Sequence, residues 1–197
     1  MGDKVSLVHL KNSEEDIKKG VYHALELINF KIDKPINQVA IKPNLAYYWD
    51  ANTGYTTDPR VVAAIIDWVR DNVGENVEIK VVEADATSMR THIAFQLLGY
   101  QKLAEDKKVE LFNLSKDERI EKMVLVNGRE IKYKVPQLLL NTNLFINVPK
   151  LKIMREVRIT CAMKNIFGCI ANPRKIIYHP YLNEAVVGIN KILHPHL

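Results

Sequence analysis

Lysine and asparagine residues occupy three short stretches of this sequence in which an apolar run has just ended or surrounds them. The stretches are IKPN at 41–44, NVPKLK at 147–152 and MKNIFG at 163–168. A buried charge is costly unless it is paired, and loops that follow strands are where α/β proteins assemble ligand sites. We therefore predict one cationic pocket for a small anionic metabolite, a carboxylate or a phosphate, formed by Lys42, Asn44, Lys150, Lys152, Lys164 and Asn165.

Each part of this set also has a structural alternative. Lys42 and Asn44 flank a proline, which favours a fixed loop presenting both side chains, although a solvated strand end would give the same pattern. Lys150 and Lys152 are two residues apart, so in an extended segment both ammonium groups point to one face. Lys164 lies in an apolar helical stretch, where its side chain must extend to solvent or meet an anion.

Three residues could move a proton in such a pocket: His179, Asp85 and Lys164. A histidine beside Arg174 and Lys175 is expected to stay neutral near pH 7, which suits a general base, and a capping role is an equal alternative. If the sheet is parallel, the strand that ends at Glu83 and Asp85 brings carboxylates to the same edge as Lys42. A role for Asp85 in the strand-end turn is equally open, and we assign no residue to a metal site.

Other polar and aromatic residues near these stretches have simpler explanations. The threonines and the aspartate before Pro59 stand at a helix start, where N-capping is favoured over phosphate binding; they are Thr56, Thr57 and Asp58. Aromatic residues of the preceding loop could stack on a planar ligand or pack on the core; they are Tyr47, Tyr48, Trp49 and Tyr55. Cys161 and Cys169 are expected to be small buried apolar residues.

The elements that must position these residues alternate between strands and helices. Hydrophobic patterns predict strands over 4–10, 38–44, 77–86, 109–114 and 143–149, and helices from Ser13, over 59–73, 91–98, 156–167 and from Leu182. Two β-rich runs flank Asn127-Gly128, a pair typical of type I′ turns, so a β-hairpin is predicted near 122–135. The pattern predicts an α/β fold with a mostly parallel sheet and helices on both faces, in a single domain over 1–197.

Composition limits the function classes. No apolar run approaches the roughly 20 residues that span a bilayer, and the N-terminal residues lack a signal-peptide segment, so we expect a cytoplasmic protein with no membrane partner. The net charge is +5 for the whole chain and +6 for residues 149–197, which leaves −1 for residues 1–148. The basic last quarter suits an anion pocket, an acidic partner or nucleic acid, but no nucleic-acid motif accompanies it, so nucleic acid is the least favoured.

The order of the motifs carries a family resemblance. IKPN, TTDPRVV, VVEAD, NVPKLK, TCAMKNIFGCI and YHPYL follow one another over most of residues 38–197. In this the chain resembles the family called domain of unknown function 362, whose members are often associated with iron–sulfur proteins because many also carry a ferredoxin-type module. The resemblance implies an α/β fold and a distant kinship to nickel-pincer lactate racemases. It also raises the expectation that Lys164 and Asn165 are functional.

Two departures from the family pattern shape the expectations about cofactors and partners. Family members usually continue beyond His196-Leu197, so the chain is expected to be a short member or to lack a C-terminal portion. It has two cysteines, too few to bind a [4Fe–4S] cluster alone, so no self-contained iron–sulfur cluster is expected and any cofactor is left open. The alternative function is a non-catalytic accessory that docks an acidic iron–sulfur or redox partner, and an exposed sheet edge would favour a homodimer.

Overall fold

A computed structural model describes residues 4–10, 13–45, 47–154 and 157–197. Its centre is a four-stranded, all-parallel sheet in the order β3-β2-β1-β6. The sheet strands are β1 (Gln38–Pro43), β2 (Glu78–Glu83), β3 (Glu110–Asn113) and β6 (Leu144–Val148). Four more strands form two antiparallel hairpins, β4 (Arg119–Val126) with β5 (Arg129–Pro136), and β7 (Lys152–Met154) with β8 (Arg158–Thr160).

Helices cover both faces of the sheet, as the sequence pattern predicts. They are α1 (Glu14–Leu27), α2 (Pro59–Val73), α3 (Thr91–Leu97), α4 (Tyr100–Lys107), α5 (Gln137–Asn141), α6 (Ala162–Phe167) and α7 (Leu182–Asn190). Apolar side chains from α1 to α4 pack with Val39, Ile41 and Val81 on one face of the sheet. On the other face, Ala40 and Phe145 pack with residues of the β4–β5 hairpin, α6 and α7. None of the helices within the described ranges is long and apolar enough to cross a membrane.

Local signals set the ends of the first two helices. The Ser13 side chain accepts a hydrogen bond from the backbone N–H of Asp16 and begins α1. The Asp58 carboxylate accepts from the N–H of Arg60 and begins α2, whose first residue is a proline. Gly74 follows the last turn of α2 at φ 125°, a backbone conformation that favours glycine. The capping role predicted for the residues before Pro59 is therefore confirmed for Asp58.

The β4–β5 hairpin is the element for which the sequence signal was most local, and it is confirmed. Asn127 and Gly128 have φ values of 48° and 76°, the two positive values that a type I′ turn requires. The hairpin packs onto the sheet through Val126, Ile131 and Tyr133. Tyr133 also donates a hydrogen bond from its hydroxyl to the carbonyl of Ala185 in α7, 3.0 Å away.

The strand predicted over residues 4–10 is wrong. These residues lie outside every sheet, and Val5 and Leu7 are 93% and 96% exposed. The outer edge of β6 is already occupied, because the His196 N–H donates to the Phe145 carbonyl at 2.7 Å and the Asn147 N–H donates to the Leu197 carbonyl at 2.8 Å. A β-pattern does not by itself supply a partner strand. The exposed edge on which the predicted homodimer rested is therefore covered at β6, and the dimer stays a prediction.

The helix predicted over residues 156–167 is wrong in its first half. Residues 158–160 form β8, which pairs with β7 in the register Lys152↔Thr160, and α6 begins only at Ala162. Arg155 and Glu156 lie outside the described residues. The apolar spacing of this stretch also fits a short β-hairpin followed by one and a half turns of helix, and pattern alone does not separate the two.

Two further elements had no counterpart in the sequence predictions. Helix α4 is strongly polar and buries only Tyr100 and Leu103, so its apolar periodicity is weak. A 3₁₀ segment, Lys175–Tyr181, contains Pro180 and leads directly into α7. It places Lys175 and His179 against the carboxyl-terminal edge of the sheet, which is where the candidate site lies.

Candidate functional site

A cavity of about 410 Å³ opens at the carboxyl ends of the central parallel strands. The strand order β3-β2-β1-β6 reverses direction at β1, and ligands of open α/β sheets bind beside such a reversal. The ends of β1 and β2, the β7–β8 hairpin, α6 and the 3₁₀ segment contribute to its wall. Its polar and charged lining includes Lys42, Asn44, Glu83, Thr87, Ser88, Lys152, Thr160, Lys164, Asn165, Lys175 and His179.

The innermost polar feature is a buried ion pair between Lys42 and Glu83. The Lys42 Nζ lies 2.7 Å from a Glu83 carboxylate oxygen, and the two side chains are 1% and 4% exposed. The same ammonium group donates to the Pro43 carbonyl at 2.6 Å and to the Asn165 side-chain oxygen at 3.3 Å. The other Glu83 oxygen accepts from the Ala84 N–H. All three ammonium hydrogens of Lys42 therefore have acceptors within the protein.

The meeting of a carboxylate with Lys42 is what the parallel-sheet prediction required, because β1 and β2 are register partners whose ends lie side by side. Its consequence differs from the predicted role. Lys42 is already neutralised and saturated, so it fixes the shape of the cavity floor and has no spare donor for an anion. Lys42 thus lies in the site predicted for it, but its ammonium group is paired with Glu83.

Asn165 completes this buried network. Its amide nitrogen donates to the Asn147 side-chain oxygen at 2.8 Å and to the Lys42 carbonyl at 3.2 Å. Asn147, the register partner of Lys42 on β6, donates in turn to the Ala162 carbonyl at the start of α6. These contacts join β1, β6 and α6. Asn165 is 5% exposed, so its role in the free protein is to hold α6 against the strand ends.

Lys175 is the site residue that the sequence predictions missed. It is 7% exposed and lines the cavity, and its Nζ donates to the Asp85 carbonyl at 2.8 Å. Burial lowers the pKa of its amino group to about 8, with the positive charge of Lys42 acting in the same direction and the Glu83 carboxylate opposing. The only signal in the sequence was its position between Arg174 and two isoleucines, which reads equally well as part of a basic surface.

Lys152 forms part of the cavity wall from the β7–β8 hairpin. Its Nζ donates to the Tyr55 carbonyl at 2.9 Å and lies 5.8 Å from the centre of the Tyr55 ring. Partial burial lowers the pKa of Lys152 to about 8, and the neighbouring charges of Lys164 and Lys42 add to this effect. Neighbouring cations destabilise the protonated form of Lys152, so an anion bound in the cavity would stabilise that form.

Lys164 and His179 line the cavity from α6 and from the 3₁₀ segment. The Lys164 Nζ lies 4.2 Å from the centre of the Phe167 ring, a cation–π distance, and the side chain is half-buried. His179 is exposed. The predicted helix position of Lys164 is confirmed, and both residues face the same space as Lys152 and Lys175.

Asn44 also lines the cavity, and its backbone is fixed by Thr57. The Asn44 N–H donates to the Thr57 hydroxyl at 2.9 Å, the Thr57 N–H donates to the Asn44 carbonyl, and the hydroxyl donates to the Val148 carbonyl. Across the described parts of the chain, the Asn44 side-chain amide has no hydrogen-bond partner. It is therefore the neutral polar group best able to orient a ligand.

Two predicted residues lie outside the cavity wall. Lys150 does not line it, because residues 149–151 are not a strand and the two-residue spacing from Lys152 does not hold both side chains on one face. The Asp85 carboxylate accepts from the Thr91 N–H at 2.9 Å and from the Asn113 amide at 3.1 Å. These bonds lower its pKa against the opposing effect of burial. The carboxylate thus serves the strand-end turn, while its main-chain carbonyl holds Lys175.

The aromatic loop and the cysteines lie around this site in different ways. Tyr47 lines the cavity, and its ring centre lies 5.1 Å from that of Trp49, with the two rings tilted by 44°. The Trp49 ring in turn lies 4.9 Å from the Tyr55 ring in an edge-on arrangement. Cys169 is fully buried, as expected, and burial raises the pKa of its thiol to about 12. Cys161 is half-buried, and both thiols are free.

Comparison with known families agrees with the order of motifs in the sequence. The model of the family described as "Domain of unknown function (DUF362)" matches residues 39–197. The matched range is most of the chain, so the protein belongs to this family. The matched range contains all of the described residues that line the cavity. No curated protein is similar enough to the chain to count as a match.

Proposed function

We propose that the protein binds a small anionic metabolite, a carboxylate or a phosphate, in the cavity at the carboxyl ends of β1, β2 and β6. The observation that carries the proposal is the imbalance of charge in the wall. Among the residues that the structure describes, the wall contains four lysines, Lys42, Lys152, Lys164 and Lys175, and one carboxylate, Glu83. With all four lysines protonated, these described residues together carry a net charge of three positives. Outside water, such an excess is costly unless an anion compensates it.

The lysines divide into two groups in this proposal. Lys42 is paired with Glu83 and keeps the floor rigid together with Asn165. Lys152, Lys164 and Lys175 supply positive charge to the ligand, and Asn44 orients it through its side-chain amide. His179 is placed on the same wall, where an imidazole can exchange protons with solvent. Its role as an acid or base is part of the proposal.

The volume of the cavity and the mixture of charged and apolar side chains in its wall restrict the class of ligand further. A volume of about 410 Å³ lies within the usual range for small-molecule pockets. Apolar side chains also line the wall; they include Leu45, Met89, Met154, Phe167 and Ile176. A ligand that combines one or two anionic groups with a short apolar portion matches this wall better than a bare inorganic ion.

Calorimetric titration of the full chain with oxalate, pyruvate and inorganic phosphate tests the proposal. We expect at least one to bind, and Lys152→Met to weaken that binding. Losing one charge-assisted hydrogen bond costs about 1.5–3 kcal/mol, or roughly tenfold to a hundredfold in affinity. Lys191→Met is the matched control, because Lys191 contacts the Leu125 carbonyl outside the cavity. Equal effects of the two changes, or no binding of any of the three anions, would contradict the proposal.

A second candidate function, docking of an acidic iron–sulfur or redox protein, rests on a separate observation. The β7–β8 hairpin beside the cavity exposes apolar side chains among basic residues, with Leu151 73%, Ile153 85% and Ile159 67% exposed. Exposed apolar residues rimmed by charge are typical of interaction surfaces. If this is correct, an acidic [2Fe–2S] ferredoxin binds with an affinity that falls with salt, and Ile153→Ser weakens it while Val5→Ser does not. A ferredoxin that fails to bind at low salt would contradict this candidate.

A further inference from the structure

The two most buried lysines of the cavity differ in how completely their amino groups are hydrogen-bonded. Lys42 has three acceptors, the Glu83 carboxylate, the Pro43 carbonyl and the Asn165 side-chain oxygen. Lys175, at 7% exposure, has a single acceptor within the described part of the chain, the Asp85 carbonyl at 2.8 Å. An ammonium group has three hydrogens to donate, so Lys42 is built to stay charged.

The surroundings of Lys175 suit a neutral amine far better than those of Lys42 do. A neutral amine donates two hydrogens and keeps a lone pair, and one acceptor on the protein leaves that lone pair open to the cavity. The groups that act on Lys175 are the cation Lys42, the acidic groups Glu83 and Asp85, and the buried thiol of Cys169. Burial opposes protonation of Lys175 most, and among the charged groups Lys42 opposes it as well.

We propose that Lys175 is a nucleophile that captures a 2-oxo acid as an imine. This inference rests on the proposed anion site, because the carboxylate of such an acid is what Lys152, Lys164 and Asn44 would hold. The class of substrate follows from the pairing of a reactive amine with cations in one cavity. A carbonyl carbon next to a carboxylate presents an electrophile and an anion at adjacent positions.

The step is balanced without any further reactant. The Lys175 nitrogen attacks the carbonyl carbon, and a proton passes from nitrogen to the former carbonyl oxygen to give a carbinolamine. That hydroxyl then leaves as water when a second proton reaches it, and the carbon–nitrogen double bond forms. His179 follows Lys175 by four residues on the same 3₁₀ segment and lines the same cavity. It is placed to deliver and recover these protons.

The lowered pKa of Lys175, about 8, supports this role. At pH 7 about one tenth of such a group is neutral, against about one in three thousand for a lysine with the ordinary pKa of 10.5. The neutral fraction at Lys175 is therefore about three hundred times larger. Between pH 7 and pH 9 it rises roughly tenfold, and the rate of imine formation should rise with it.

Reductive trapping with pyruvate tests the inference directly. The full chain is incubated with sodium borohydride and with pyruvate at a concentration that saturates the site at both pH 7 and pH 9, and the intact mass and the tryptic peptides are measured. We expect one reduced pyruvate adduct per chain, on the peptide that contains residue 175, forming roughly tenfold faster at pH 9 than at pH 7. Lys175→Arg should abolish the adduct, and Lys191→Arg should leave it unchanged. Because the adduct is assigned to a peptide of the protein without substitutions, this result does not depend on whether a variant folds.

The same experiment separates failure of this inference from failure of the anion site. If oxalate binds by calorimetry but pyruvate leaves no adduct on residue 175, the inference is overturned and the anion site stands. An adduct found only on Lys152 or on scattered surface lysines would also overturn it. If none of oxalate, pyruvate and inorganic phosphate binds and no adduct forms, both proposals fall.

Discussion

Replacing Glu83 with glutamine should destabilise the protein strongly, because the buried Lys42 charge would lose its counter-ion. Glu83 accepts from Lys42 through one oxygen at 2.7 Å and from the Ala84 N–H through the other at 2.9 Å. Glutamine has one oxygen and one NH₂ group, so it can serve only one of these donors and turns a second donor toward the other. Removing one member of a buried pair costs about 3–5 kcal/mol, a large part of the roughly 5–15 kcal/mol that stabilises a typical domain.

An ion pair on the same sheet whose carboxylate is exposed to solvent provides the control. Lys80 on β2 pairs with Glu110 on β3, and the Glu110 side chain is 50% exposed. Since solvent screens such a pair, Glu110→Gln should cost less than about 1 kcal/mol. The comparison uses the same chemical change in both places. Lys80 keeps a second carboxylate, Glu78, at 3.0 Å, whereas Glu83 is the one carboxylate paired with Lys42 among the described contacts. The difference therefore reports the loss of that counter-ion at a buried site.

Urea unfolding followed by far-ultraviolet circular dichroism measures both changes, with a common slope for the two variants. The double variant Lys42→Met/Glu83→Gln should lose less stability than the sum of the two single changes, because it leaves no unpaired charge. The reasoning is refuted if Glu83→Gln lies within about 1 kcal/mol of Glu110→Gln, or if the two changes at the pair are additive. Either result would mean that Lys42 carries no isolated buried charge in the variant, because water reaches it or because it loses its proton.

Two further predictions concern the cationic wall and the packing behind it. Burial lowers the pKa of Lys152 to about 8, with the charges of Lys164, Lys42 and Lys150 acting in the same direction and Glu83 opposing, so its side chain is charged below that pH and neutral above it. Calorimetry should therefore show the affinity for oxalate falling between pH 7 and 9.5. A flat pH profile would argue against a role for Lys152. Gly188→Ala would place a methyl group against the Tyr133 hydroxyl, so urea unfolding should show that the free energy of unfolding falls by about 1–3 kcal/mol. Tyr133→Phe in the same chain should partly relieve this loss, and fully additive effects of the two substitutions would contradict the contact.

The sequence predicted those parts of the fold whose signals are local. The cap at Ser13, the proline-led start of α2 with Gly74 at its end, and the Asn127-Gly128 turn each depend on residues within a few positions of one another. The strand at residues 4–10 failed because pairing is a tertiary property. Its pattern is that of a strand, but residues 4–10 pair with none of the described strands, and no local pattern indicates whether a partner strand is available.

The sequence predicted the location of the candidate site better than the roles of the residues in it. Parallel strands end at one edge, so the residues after β1, β2 and β6 had to lie close together, and Lys42, Asn44 and Lys152 all line the cavity. Which lysine is saturated and which is exposed to a ligand depends on acceptors contributed by distant segments. Lys175 was missed for this reason, because its burial follows from a 3₁₀ segment that the sequence pattern did not indicate.

The charge asymmetry of the chain bears on the choice between pocket and docking surface. Residues 149–197 carry eight basic residues, of which all but Arg155 lie in the described ranges. Three of those seven, Lys152, Lys164 and Lys175, line the cavity, and the other four lie elsewhere. One small anion bound in the cavity can offset the mutual repulsion of the three cavity lysines, but not that of the other four basic residues. Binding of a metabolite should therefore depend on individual cavity lysines and weakly on salt, whereas docking should depend on salt and on no single lysine.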